Sequence, residues 1–219
     1  ATVALMIVAL PLGVGLALTA LGRAALDPAL VLALSLQAAS APILATPAVA
    51  ALIGLDGAFA VVALLAHMAV LPLVAPGLAR FVAGDAVPLD AAAIARNLAL
   101  LLTGATLVAI AALLRWTLAQ VQAARLELDG VNILLMFAFA VAIMDGVLAR
   151  VAADPATAAT HLAVAFAVAG GGLVAGFALL RPIIGAGDAV AMSYAFGHRN
   201  VGLMIAAMGG ALPEATWLY

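Results

Sequence analysis

The stretch Ser193-Tyr194-Ala195-Phe196-Gly197-His198-Arg199-Asn200-Val201-Gly202 sets Gly, His, Arg and Asn at the centre of a long apolar run. A second interruption lies upstream, in Gln37-Ala38-Ala39-Ser40-Ala41-Pro42-Ile43-Leu44-Ala45-Thr46-Pro47, where two prolines stand five residues apart. Each proline removes a backbone donor and crowds the carbonyl four residues back, so a kink or break is expected there. The freed carbonyls must be satisfied within protein or by water, because lipid offers no donors. An Arg in mid-span costs about 2.5–3.5 kcal/mol on insertion scales and calls for a wet or anionic setting.

These interruptions gain meaning from what surrounds them. Of 219 residues, 68% are hydrophobic and 8% are charged. An ordinary globular domain carries about 25% charge, and 18 ionisable Asp, Glu and Arg side chains cannot cover a soluble protein of this size. Disorder, a nucleic-acid-binding domain and a disulfide scaffold are excluded. All eight basic residues are Arg, and the net charge is −2, so no basic surface awaits nucleic acid. Without Cys there is neither a disulfide nor a thiolate metal site. The composition is that of an integral membrane protein packed from Ala, Leu, Val and Gly.

A bilayer-spanning helix needs about 20 mostly apolar residues. The charges punctuate seven such segments, at 1–22, 29–55, 58–79, 97–114, 131–149, 161–180 and 189–212. They show no period of two, which disfavours a barrel. The connections are short, so a single all-α polytopic bundle over 1–219 is expected, with the chain cut at both ends. The two interrupted segments are the second and the seventh, five apart. Repeats of five helices thread the membrane in opposite directions, and broken segments at corresponding positions point to a midplane substrate site. Arg23 on Arg181 and Gly13 on Gly171 superpose the first and sixth segments weakly.

The run Gly197-His198-Arg199-Asn200-Val201-Gly202-Leu203 resembles the Gly-x-Gln-Asn-Ser-Gly-Leu run in the ninth helix of the bile acid:sodium symporter family. Ala39-Ser40-Ala41-Pro42 and the later Asp56-Gly57 look like that family's broken fourth helix and the turn beyond it. Pro72-Leu73-Val74-Ala75-Pro76 is similar to a Pro-Leu-Leu-x-Pro pattern in its fifth helix. On this resemblance the chain covers helices three to nine of ten. The implied fold is two inverted five-helix repeats, forming a panel and a core domain, with two broken helices crossing at the midplane.

The chain departs from the family's chemistry. The family's Glu before the ninth-helix Gly is Ala195, and its Gln before Asn is Arg199. After Pro42 only Thr46 keeps a polar side chain from a Gly-Gly-Thr-x-Ser-Asn stretch, and the Ser/Thr-rich middle of the fifth helix is Ala66-His67-Met68-Ala69. Hard cations prefer oxygen ligands, so sodium coupling through the family sites is not expected.

Arg199 is the leading candidate, either in the place of the coupling cation or binding an anionic substrate bidentately. The alternative is a structural Arg bonded to carbonyls of the broken upstream helix. Asn200 bridges the crossing backbones or contacts substrate. His67 and His198 titrate near physiological pH and offer proton coupling, or else simply link helices. Thr46 contacts substrate or bonds back to its own helix. Asp145 reads as interfacial or as a relay, and Pro42, Pro47 and Gly197 shape backbone. No metal site or cofactor is expected, and no enzyme motif is present.

The expectation is a secondary transporter moving a small organic anion by alternating access in the plasma (inner) membrane of a bacterium. Its partners would be a small-molecule solute and the lipid bilayer. The rivals are a proton-driven or uniport exporter related to auxin-efflux-like carriers, and a membrane receptor or structural protein that binds without transporting.

Overall fold

The computed structural model describes residues 2–21, 26–55, 57–85, 89–144 and 146–208. Among them the chain forms eleven helices and no strand. These are α1 (Thr2–Leu21), α2 (Pro28–Ala39), α3 (Thr46–Leu52), α4 (Gly57–Ala83), α5 (Ala91–Arg115), α6 (Leu118–Ala123), α7 (Arg125–Ile143), α8 (Val147–Ala153), α9 (Pro155–Ile184), α10 (Ala186–Gly197) and α11 (Val201–Ala207). The stretches Gly57–Ala83, Ala91–Arg115, Arg125–Ala153 and Pro155–Ile184 are long and apolar enough to cross a bilayer. The protein is an all-α integral membrane protein. Asp56, Arg23 and Asp145 lie outside the described residues.

The polar punctuation of the sequence works as helix capping. Asp27 accepts from Ala29 N at 2.9 Å ahead of α2, and Asp90 from Ala93 N at 2.9 Å ahead of α5. Asp154 accepts from Thr157 N at 3.0 Å ahead of α9. Thr117 and Gln120 form a reciprocal capping box that starts α6. Each satisfies a donor that the first helical turn leaves without an intrahelical partner.

Two interrupted segments give four short helices. At about 1.5 Å per residue, the 12 residues of α2 and the 12 of α10 reach only part-way across a hydrocarbon core of about 30 Å. Helix α2 occupies the centre, with Ala29 to Ala39 all buried. On one side Leu32 and Leu36 meet Leu71 and Ala75 of α4, Ile94 and Leu98 of α5, and Met204 of α11. On another, Leu30, Val31 and Leu34 meet Leu18 of α1 and Val82 of α4, with Val164 and Val168 of α9 against them. A third cluster joins Ala50 of α3, Ala60 and Ala63 of α4, Leu180 of α9, and Met192 and Phe196 of α10.

Glycine permits the closest contact. A Cβ on Gly172 of α9 would lie 2.9 Å from both Phe196 O and Gly197 Cα of α10. A Cβ on Gly197 would in turn run into the carbonyl oxygen of Ala169. The two backbones therefore touch directly, as small residues allow where helices pack without a hydrophobic driving force. Helix α7 is the opposite case. None of its described side chains is buried, and in α5 only Ile94 and Leu98 are. The fold thus divides into a dense unit, α1–α4 with α9–α11, and an exposed limb running from the second half of α5 to α8.

Candidate functional site

The two breaks meet. Helix α2 stops at Ala39, where Ser40 turns extended and both its backbone N–H and its Oγ donate to Gln37 O, at 3.2 and 2.8 Å. Helix α10 stops at Gly197, where His198 turns extended after donating its N–H to Tyr194 O. The two extended pieces then run antiparallel. Asn200 N donates to Ala41 O at 2.8 Å and Ile43 N to His198 O at 3.0 Å, with Pro42 opposite Arg199. This is the non-hydrogen-bonded pair of an antiparallel ladder, whose two members need no cross-strand N–H. A proline fits that position without leaving a gap in the bonding.

Past the bridge, Asn200 opens α11 by accepting Leu203 N on both its carbonyl oxygen, at 3.2 Å, and its Oδ1, at 3.3 Å. Pro47 falls in the first turn of α3, where a missing N–H is harmless. Thr46 is buried, and its hydroxyl donates to Ile43 O at 2.8 Å, so it ties down the α3 start.

The Arg199 side chain lies in this junction at 7% exposure. Its Nη1 donates to Ser40 O at 3.0 Å, at the C-terminal end of α2, and its guanidinium carbon is 5.9 Å from the Phe196 ring centre. A cation is favoured at a helix C-terminus by the unsatisfied carbonyls and the helix dipole. Buried around it or nearby along the broken helices are Ser35, Gln37 and Ser193. His67 reaches in from α4, buried and within electrostatic range of Arg199, with its Nδ1 lacking a hydrogen-bond partner. His198 stacks on Tyr194 with ring centres 4.1 Å apart.

The sequence candidates Thr46, His67, His198, Arg199, Asn200, Pro42, Pro47 and Gly197 therefore gather at or beside one junction. Ser40 and Ala41 take part through their carbonyls, which side-chain chemistry does not reveal. Gln37 and Ser35 were visible as polar residues in an apolar run. From the exposed limb, Phe139 of α7 reaches the junction: a Cβ on Gly202 would lie 2.9 Å from Phe139 Cζ. From α5, Asn97 Nδ2 donates to Ala207 O at 2.8 Å and holds the end of α11. No three His, Asp or Glu side chains converge as a metal site among the described residues.

The chemistry at hand is a fixed guanidinium, backbone carbonyls and imidazoles at the meeting point of two half-helices in an integral membrane protein. Comparison with family models, with curated proteins and with solved structures gives no match.

Proposed function

We propose that the protein is a secondary transporter of a small organic anion, of the bile acid:sodium symporter type, with the junction of residues 40–48 and 195–202 as its substrate site. The observation that carries this reading is Arg199, which comes from one broken helix and donates to the break carbonyl of the other. Paired broken helices that meet at one point are the arrangement in which transporters hold substrate and coupling ions. In this reading α1–α4 and α9–α11 form the core, and α5 with α7 the panel. Movement between them exposes the junction to each side in turn.

Arg199 then supplies a fixed positive charge where a cation would otherwise coordinate the Ser40 carbonyl. That makes transport independent of sodium, with the anion drawn to the guanidinium. Asn200 and Thr46 hold the backbones that frame it, and His67 adds a neighbouring polar edge.

Uptake of labelled organic anions into proteoliposomes tests the proposal. Uptake in sodium-free buffer is expected, reduced at least tenfold by Arg199→Ala and partly kept by Arg199→Lys. Unchanged uptake in Arg199→Ala would overturn the role of the guanidinium. Saturable binding without flux would favour a receptor.

A further inference from the structure

Away from the junction, a second ionisable contact ties together the helices that lead to it. His161 belongs to the inward stripe of α9, with Val164, Val168, Gly172, Gly176 and Leu180 following at helical spacing. Its side chain is 3% exposed, and its Nε2 lies 3.7 Å from Asp27 Oδ2, a carboxylate that is 45% exposed. Its Nδ1 is buried without a hydrogen-bond partner. Asp27 uses its other oxygen, Oδ1, to cap α2.

We propose that His161 and Asp27 form a proton-binding site that couples α9 to α2. With the imidazole neutral, one nitrogen faces the carboxylate across a gap too long for a hydrogen bond. A proton on the imidazole turns the same contact into an ion pair. The exposed face of Asp27 gives that proton a route to water.

Among the described residues, Asp27 is the carboxylate that meets His161. Helix α1 and the body of α2 carry no ionisable side chain. Helix α8 brings Arg150, α4 ends with Arg80, and α10 carries Asp188 by the far end of α9. On α9 itself, Asp154 at the cap is within electrostatic range of His161, and Arg181 sits in the last turn. Of these, Asp27 lies at ion-pair distance.

The site has leverage because α2 ends at the junction and α9 packs against it in mid-helix. Helix α2 leads to Ser40, which accepts from Arg199, and α9 presses Gly172 against Phe196 and Gly197. Protonation of His161 would thus tighten both arms of the crossing from one membrane face. The role in transport rests on the function proposed above; the proton site itself does not.

Thermal unfolding of the full chain in detergent tests the site. Relative to His161→Gln, the unsubstituted protein should gain about 2–4 °C in Tm at pH 5.5 over pH 8.0. Asp27→Asn should abolish the same pH-dependent gain while keeping the cap, because Asn caps as well as Asp. The double variant should show no further loss of it. A pH response that survives in either single variant would overturn the proposal, and Asp27→Asn decides the matter if His161→Gln does not fold.

In proteoliposomes, a transmembrane pH gradient should stimulate anion uptake severalfold in the unsubstituted protein and not in His161→Gln, whose uptake without a gradient persists. Equal stimulation in both would overturn the coupling. Absence of any uptake counts against the transporter reading, and the unfolding data then decide on the proton site alone.

Discussion

Helix α2 buries every residue from Ala29 to Ala39, whereas none of the described side chains of α7 is buried. Both helices are apolar, so hydrophobicity does not explain the difference. What separates them is residue size and polarity. Helix α2 mixes Leu and Val with Ala and carries Ser35 and Gln37, side chains that find partners only within protein. Helix α7 presents Ile133, Leu134, Leu135, Met136 and Phe137 in succession, covering all sides of the helix. Large apolar side chains all round suit contact with lipid, and small or polar ones suit contact with other helices.

Neighbouring glycines of α9 give this contrast its largest expected effect. Gly172→Val would drive a side chain into the backbone of α10, and folded protein should be lost from size-exclusion profiles. At Gly171 an added Cβ would meet nothing within 4 Å, so Gly171→Val should leave the profile unchanged. Equal loss from both would mean that the contact with Phe196 and Gly197 is not what holds α9 and α10 together.

A core-against-lipid pair comes next. Leu36 is 1% exposed and Leu134 is 68% exposed. Leu36→Ala should cost about 2–5 kcal/mol, and Leu134→Ala about 0.5 kcal/mol or less, as read by denaturation in mixed micelles. Similar costs would erase the distinction between the two helices. A smaller effect is expected at Asn97, whose removal in Asn97→Ala strips Ala207 O of its side-chain donor. A loss of about 1–3 kcal/mol should appear in the same titration.

The smallest effect belongs to the exposed end of the limb. Hydrogen bonding from Thr157 holds the Asp154 carboxyl below the usual carboxylate range. Its contribution is therefore present above the ordinary carboxylate value and is lost as pH falls through the lowered one. Asp154→Asn should keep the cap without titrating, so it escapes this acid loss and its unfolding midpoint should shift slightly toward lower pH. Hydrogen exchange at the first turn of α9 would localise the change.

Much of the local structure was legible because its causes are local. Pro42 and Pro47 mark the first break, His198 and Arg199 the second, and Asp27, Asp90 and Asp154 stand where helices begin. What was not legible depends on partners far apart in the chain. The bond from Arg199 to Ser40 joins residues 159 positions apart, and no periodicity encodes it. His161 stands at the start of the apolar run 161–180, and nothing in that run points to the Asp27 carboxylate beside it. Thr46 reads from sequence as facing a solute or its own backbone, and the bond of its hydroxyl to Ile43 O depends on the course of the chain between the two. Burial of α2 against exposure of α7 was hidden for a similar reason, since the two periodic patterns look alike until neighbours are assigned.

The bridge at Pro42 and Arg199 has a kinematic consequence. Its two backbone hydrogen bonds join the arms directly, and a buried donor or acceptor left unsatisfied costs about 1–3 kcal/mol. Prising the arms apart would forfeit both, along with the guanidinium contact. The bridge therefore ties α2 and α3 to α10 and α11 through main-chain bonds. The seam where the ring of Phe139 rests on Gly202 is a different kind of contact, apolar on both sides. A ring on a glycine can slide without breaking anything.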